Sequence, residues 1–162
     1  MKFNVLKKCD KLKICFAASS GGHYEQLMML KPLMDKYDSF LVAEKTAYDA
    51  EAKGEKTYYV KQVNRKESMC FPNLIINSFI YIYIFIKERP DVVICTGVLA
   101  MIPVCLIAKI FKKKLIYIES FAKVTSATET GKLMYKYADQ FYVQWEEMIQ
   151  IYPNAIYLGG IY

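Results

Sequence analysis

Short apolar runs recur along this chain, and the segments between them are long enough to hold helices. Lys13 to Ala17 (KICFA), Ser39 to Val42, Lys56 to Val60, Asp91 to Cys95 (DVVIC), Leu115 to Ile118, Gln140 to Val143 and Ala155 to Leu158 read as strands. Alternation of this kind predicts stacked β-α units: an α/β fold with a parallel sheet flanked by helices. The spacing predicts a helix over His23 to Asp35, with Leu27, Leu30 and Met34 on one face, and others over Val98 to Phe111, Gly131 to Tyr137 and Glu146 to Tyr152. FIYIYIFI alone has the composition of a strand. The segment from Asn73, a suitable cap, to Glu88 is too long for one, so it reads as a helix that Arg89-Pro90 ends. Lys61 to Cys70 is polar and aperiodic, a loop. Residues 1–12 form a basic arm, and residues 13–162 a single domain.

Composition narrows the class. Of 162 residues 54% are hydrophobic and 23% charged, which excludes a disordered chain. The net charge of +6 points to nucleic acid, an anionic membrane surface or an acidic ligand. Arginine occurs only at 65 and 89, and no basic stripe is interleaved with stacking aromatics, so nucleic acid is disfavoured. Five cysteines with no Cys-x-x-Cys pair, beside a single histidine, argue against a zinc site. Cys15 and Cys95 lie in apolar strands and read as core residues of a reducing compartment. The N-terminus has no apolar stretch of signal-peptide length, which makes an intracellular protein the expectation.

Two uncharged stretches raise the question of a membrane. Ser68 to Ile86 has 19 residues and Val92 to Ala108 has 17, but proline, asparagine or a Thr-Gly turn interrupts each. A bilayer span needs about 20 predominantly apolar residues, so buried or membrane-lying elements are expected. Lysines adjoin this apolar sequence: five fall in the first 13 residues, and Lys109, Lys112, Lys113 and Lys114 close a helix that is apolar on nearly all faces. A charge run is usually a solvated face; here the combination suits a monotopic membrane surface.

Ser19-Ser20-Gly21-Gly22-His23 follows the first strand and opens a helix. Paired glycines permit close approach of a ligand, and a helix start offers free N–H groups to a phosphate, although an ordinary tight turn has the same sequence. Neither a dinucleotide fingerprint nor a P-loop spacing is present. His23, at the carboxyl edge of a parallel sheet, is a candidate general base or diphosphate ligand, against a purely structural role. Glu119 follows the apolar run LIYI and would reach the same crevice, unless it is a loop or capping carboxylate.

The blocks ASSGGHYEQLMML, RPDVVICTG, LIYIESFAKV, YADQFYVQW and YLGGIY, in this order over Lys13 to Tyr162, resemble the bacterial PssD/CpsF family of polysaccharide-biosynthesis glycosyltransferase subunits. The eukaryotic counterpart of that family is the membrane-anchoring subunit of the dolichol-linked N-acetylglucosamine transferase. The family is similar to the N-terminal half of MurG-type GT-B enzymes. The resemblance implies a Rossmann-like acceptor domain, with a PssE/CpsG-type partner chain supplying the UDP-sugar site and no cofactor on this chain. It implies that Gly21, Gly22 and His23 face a lipid diphosphate, together with Ser20. Thr96, Gly97, Glu119, Ser120 and Phe121 would line the same cleft. MurG-like enzymes carry a His-Glu pair where this chain has Ile118-Glu119, so no second histidine contributes. Eukaryotic relatives carry an N-terminal transmembrane helix in place of the short basic arm, which makes peripheral attachment to the inner face of the cell membrane the expectation. The implied reaction is metal-independent inverting transfer to an undecaprenyl-diphosphate-linked saccharide, with His23 or Glu119 as base; a non-catalytic scaffold that enhances the partner is the alternative.

Overall fold

The computed structural model describes residues 12–45 and 56–162. Seven strands form one sheet: β1 (Lys13–Ala18), β2 (Asp38–Glu44), β3 (Thr57–Val60), β4 (Val92–Cys95), β5 (Lys114–Ile118), β6 (Gln140–Val143) and β7 (Ile156–Tyr157). Their order is β3-β2-β1-β4-β5-β6-β7, and every pairing is parallel. The chain therefore reverses its winding between β1 and β4, and all loops after the strands open on one edge. The expected α/β parallel sheet is present. Of the basic arm, residues 1–11 lie outside the described residues, as does Cys9.

Helices cover the two faces unequally. Helices α1 (Gly22–Met28) and α2 (Lys31–Lys36) lie on one face, where Leu27 and Met34 pack with Ile14, Phe16, Leu41 and Ile94. Helices α3 (Cys70–Glu88), α4 (Ile102–Ile110) and α5 (Glu129–Met134) lie on the other, around Cys15, Tyr81, Phe85, Val104, Leu115 and Met134. Cys15 and Cys95 are fully buried core residues, as expected. Phe16, in the centre of β1, is also fully buried, and its truncation to alanine would cost about 3–5 kcal/mol.

Proline explains two departures from the sequence reading. The helix expected over His23 to Asp35 is two helices, because Pro32 sits in the first turn of α2. Its ring would clash with the carbonyl of Met28, where α1 stops. The helix expected over Val98 to Phe111 likewise begins as a 3₁₀ turn over Leu99–Met101 and becomes α-helical at Ile102, since Pro103 cannot donate to Leu99. Asn73 does not cap α3, which starts three residues earlier; its side-chain amide donates to the Gln62 carbonyl at 3.2 Å instead. Arg89, at φ 50°, ends α3 in the left-handed conformation before Pro90. Helix α5 begins at Glu129 because the Thr128 hydroxyl accepts from the Gly131 N–H at 2.7 Å. Glu146–Gln150 is a 3₁₀ turn where a helix was expected, and β2 runs two residues past Val42 to Glu44.

Candidate functional site

The loops after β1, β4 and β5 bring most of the candidate residues to one edge of the sheet. Gly21 adopts φ 71° and ψ −142°, a combination open to glycine, and this backbone turns β1 into α1. Gly97 allows the β4 loop to press against the β1 loop, for a Cβ there would lie 2.9 Å from the Ser19 nitrogen. Thr96 completes the junction by donating its hydroxyl to the His23 carbonyl at 2.8 Å. The two loops at the reversal point are thus bonded to each other.

His23 is half-buried beside them. Burial holds its imidazole below the ordinary histidine range, against the opposing pull of the Thr96 contact and the Glu119 and Glu44 carboxylates. Burial thus favours the neutral ring, the form able to accept a proton. Among the described residues its Nδ1 has no hydrogen-bond partner, and neither do the buried Ser19 and Tyr24 hydroxyls. All three orphaned polar atoms belong to residues 19–24, the loop and first turn after β1, and each lacks the partner that a buried polar atom normally has.

Glu119 is placed differently from its expectation. It is 1% exposed, and its carboxylate accepts from the Ser120 N–H at 2.9 Å, the Thr128 hydroxyl at 2.9 Å and the Tyr152 hydroxyl at 2.9 Å. Its carbonyl takes the side-chain amides of Gln26 at 3.2 Å and Gln144 at 2.8 Å. The carboxylate is enclosed by its own chain and holds three donors, so Glu119 is a structural hub of this loop. Ser120 and Phe121 continue the turn; the Phe121 ring packs at a tilt against Trp145 and edge-on against Tyr162, with ring centroids 5.0 and 4.8 Å apart.

Ser20 also departs from expectation. Its N–H and hydroxyl both point to one carboxylate oxygen of Glu44, at 3.1 and 3.3 Å, so these donors already serve an anion of the chain itself. The other Glu44 oxygen accepts from the Val63 N–H at 3.0 Å, tying the β1 loop to the β3 loop. Glu44 lies two residues beyond Val42, the end of this strand expected from sequence. The signal that flagged Glu119, a carboxylate closing an apolar run, was present in SFLVAE as well. Gln26, Thr128, Gln144 and Tyr152, the partners of Glu119, carried no such signal.

The expected membrane residues lie at the opposite edge of the sheet. Lys109 pairs with Asp139 at 2.8 Å, Lys113 with Asp91 at 3.6 Å and Lys114 with Asp139 at 3.9 Å, so much of their charge is balanced within the chain. Lys112 makes no ion pair among the described residues. The larger apolar surface is on α3, where Phe71, Ile75, Phe79, Ile82 and Ile86 recur at helical spacing and all face solvent; Phe71 is 77% and Phe79 69% exposed. Tyr81, Ile84 and Phe85 on the reverse of the same helix pack into the core. Helix α3 is long and apolar enough to cross a membrane, yet one side of it is a layer of the domain. A second apolar opening, of about 300 Å³, lies on the other sheet face between Leu30, Leu33, Ile116, Ile118 and Tyr142.

Known proteins share this fold. A family model described as "Oligosaccharide biosynthesis protein Alg14 like" matches residues 14–161. The chain belongs to the Alg14-like family. It is similar to the human UDP-N-acetylglucosamine transferase subunit ALG14, at 23% identity over 94% of this chain and 84% of the human one. The Yarrowia lipolytica subunit is 26% identical over 91% and 80%. Among solved structures, MurG of Acinetobacter baumannii superposes with a TM-score of 0.66 at 14% identity, covering 83% of this chain and 42% of its own. The UDP-N-acetylglucosamine 2-epimerase of Rickettsia bellii gives 0.70 at 16%, covering 93% and 45%, and the lipopolysaccharide galactosyltransferase WaaB gives 0.62 at 14%, covering 89% and 43%. The Alg14-like chain thus has the Rossmann-like fold of one half of these GT-B-type proteins and spans under half their length.

Proposed function

We propose that this Alg14-like chain is the acceptor-binding, membrane-associating subunit of a two-chain inverting glycosyltransferase. The donor is a UDP-sugar bound mainly by the partner, and the acceptor is a saccharide on a polyprenyl diphosphate. The observation that carries this reading is the half-buried His23, its Nδ1 unpartnered among the described residues, at the carboxyl edge of a domain that matches only one half of a GT-B protein. The names of its relatives, subunits of a UDP-N-acetylglucosamine transferase, support it. The finer reading is a bacterial PssD/CpsF-type subunit in capsule or exopolysaccharide synthesis, with a PssE/CpsG-type partner and an undecaprenyl carrier. The apolar stripe of α3 lies along the cytoplasmic face of the membrane.

With Glu119 enclosed, His23 is the base. As the acceptor hydroxyl attacks the anomeric carbon, its proton passes to the imidazole and the new C1–O bond forms. The bond from C1 to UDP breaks, UDP departs with the electron pair, and the configuration inverts. General-base assistance of this kind is worth about 10²–10⁴-fold. The enclosure of Glu119 also favours a second reading, in which the chain only recruits and activates its partner. Reconstitution tests both: the chain and its partner, with a UDP-sugar and a lipid-linked acceptor, are expected to form product that neither forms alone. Full turnover by the partner alone would contradict either form of the proposal. Full turnover by a folded His23→Gln complex would leave the scaffold.

A further inference from the structure

The resemblance assigns the acceptor diphosphate to the glycine loop, but that loop is poorly suited to it. Its Ser20 donors are engaged by the Glu44 carboxylate, whose charge would repel a diphosphate, and the Ser19–His23 segment carries no Lys or Arg. We propose that the diphosphate binds instead in a basic cavity beside it, between Arg65, Lys66 and Lys123. This inference rests on the functional reading above and adds a site to it.

The cavity is open, about 620 Å³, and formed by the loops that follow β3, β4 and β5 on the same edge as His23. Val98 and Thr130 contribute to its wall. Among the described residues, Arg65, Lys66 and Lys123 form no ion pair and no side-chain hydrogen bond, in contrast to Lys109, Lys113 and Lys114 at the far edge. The one acid in the lining, Glu129, is held by Lys132 at 2.8 Å and is also attracted by Arg65, so its charge is offset by the cations around it. Three cations facing one cavity, with the nearby carboxylate already paired, form a receptor for a doubly or triply charged anion.

The loop that carries two of these cations is pre-organised. Asn64 accepts from the Lys66 N–H at 3.2 Å and donates to Glu67 at 3.1 Å, while Val63 and Gln62 are anchored to Glu44 and Asn73. Lys123 is set by its N–H on the Ser120 carbonyl at 3.0 Å. The same β3 loop leads directly into exposed Met69 and Phe71, the start of the α3 stripe. A prenyl tail along that stripe and a diphosphate in the cavity are thus reached by one continuous ligand, a geometry that a nucleotide diphosphate does not exploit.

The test titrates the full chain with geranyl diphosphate, inorganic pyrophosphate and UDP separately, by calorimetry and by amide NMR shifts. Geranyl diphosphate is expected to bind most tightly and to shift the Val98 and Thr130 amides. The R65Q/K66Q/K123Q variant is expected to weaken it by about tenfold or more, as loss of charge-assisted contacts requires. K109Q/K113Q/K114Q should bind as wild type, and R65K/K66R/K123R, which keeps all three charges, should retain binding if the neutral variant misfolds. Wild-type affinity in a folded neutral variant, no binding of any diphosphate to the wild type, or tighter binding of UDP would each overturn the site. Because no partner or turnover is involved, absence of transfer in the reconstituted complex would sink the functional reading while leaving this result intact.

Discussion

The Glu119 carboxylate and the Tyr152 hydroxyl meet at 2.9 Å inside the domain, joining the end of β5 to the chain between β6 and β7. The Tyr152 hydroxyl is correspondingly hard to ionise, since burial and the adjacent carboxylate both raise its pKa. Glu119→Ala leaves the Tyr152 and Thr128 hydroxyls and the Ser120 N–H without their acceptor, at an expected cost of about 1–3 kcal/mol. Thermal unfolding measures the loss. Activity is expected to follow the folded fraction; a stable variant with lost turnover would return Glu119 to the chemistry. Gly131→Ala is expected to destabilise in the same way, because its Cβ would run into the Glu119 carboxylate.

Glu44 holds two loops with one carboxylate, through Ser20 on one oxygen and Val63 on the other. In Glu44→Ala both N–H groups lose their acceptor, and local opening should become easier by about 1–3 kcal/mol. Hydrogen exchange at the Ser20 and Val63 amides is then expected to accelerate by roughly 10- to 100-fold, with Ile94 in central β4 unchanged. Unaltered protection at both loops would show that Glu44 does not anchor them.

At the opposite edge, Glu88 is 5% exposed and binds Lys13 at 2.7 Å, Lys56 at 2.6 Å and the Tyr58 hydroxyl. Burial alone would raise its pKa, but these partners prevail and hold it down to about 2, against 4.5 for a free glutamate. A depressed folded-state pKa means the unfolded chain takes up the proton first. The stabilisation is therefore complete above about pH 4.5 and lost as pH falls towards 2. After allowance for the exposure of Lys56 it amounts to about 2 kcal/mol. Denaturant unfolding from pH 6 to pH 2 should show this slope, and Glu88→Gln should flatten it.

The α3 stripe should govern attachment to lipid. Phe71→Glu and Phe79→Glu each remove an exposed aromatic worth about 1.5–3 kcal/mol of burial and add a charge. Each is expected to lower partitioning onto vesicles containing anionic lipid by more than about tenfold in sedimentation. K109Q/K113Q/K114Q, whose charges are largely offset by Asp91 and Asp139, should change it less. The reverse ranking would transfer the contact to the lysine end.

His23 sets the pH dependence of turnover. Its lowered pKa keeps the base unprotonated down to a pH below the ordinary 6.5, so the acid limb of kcat/KM is expected to fall below that value. His23→Gln should remove the limb and lower kcat by at least about tenfold.

Much of the fold was legible because buried parallel strands are written as apolar runs: β1, β4, β5 and β6 lie within a residue or so of their expected bounds. Helix ends were less legible where a proline later in the segment decided the outcome, as Pro32 and Pro103 did. The placement of Gly21, Gly22, His23 and Thr96 at the carboxyl edge of the sheet was readable, because their neighbours in sequence mark the ends of β1 and β4. It was unreadable at Glu119, since a carboxylate at a strand end looks the same whether it faces a cleft or is enclosed by Thr128 and Tyr152, residues 9 and 33 positions away. Long-range hydrogen bonds of that kind leave no local pattern. The same applies to the cavity, which assembles Arg65, Lys66 and Lys123 from two loops.

The most direct measurement is photocrosslinking in the assembled two-chain complex, using a lipid-linked acceptor with a diazirine in its prenyl chain. Labelling of this chain on the β3 loop and the exposed side of α3, with competition by unlabelled acceptor, is the expected result. Labelling confined to the partner chain would contradict the assignment of the acceptor to this domain.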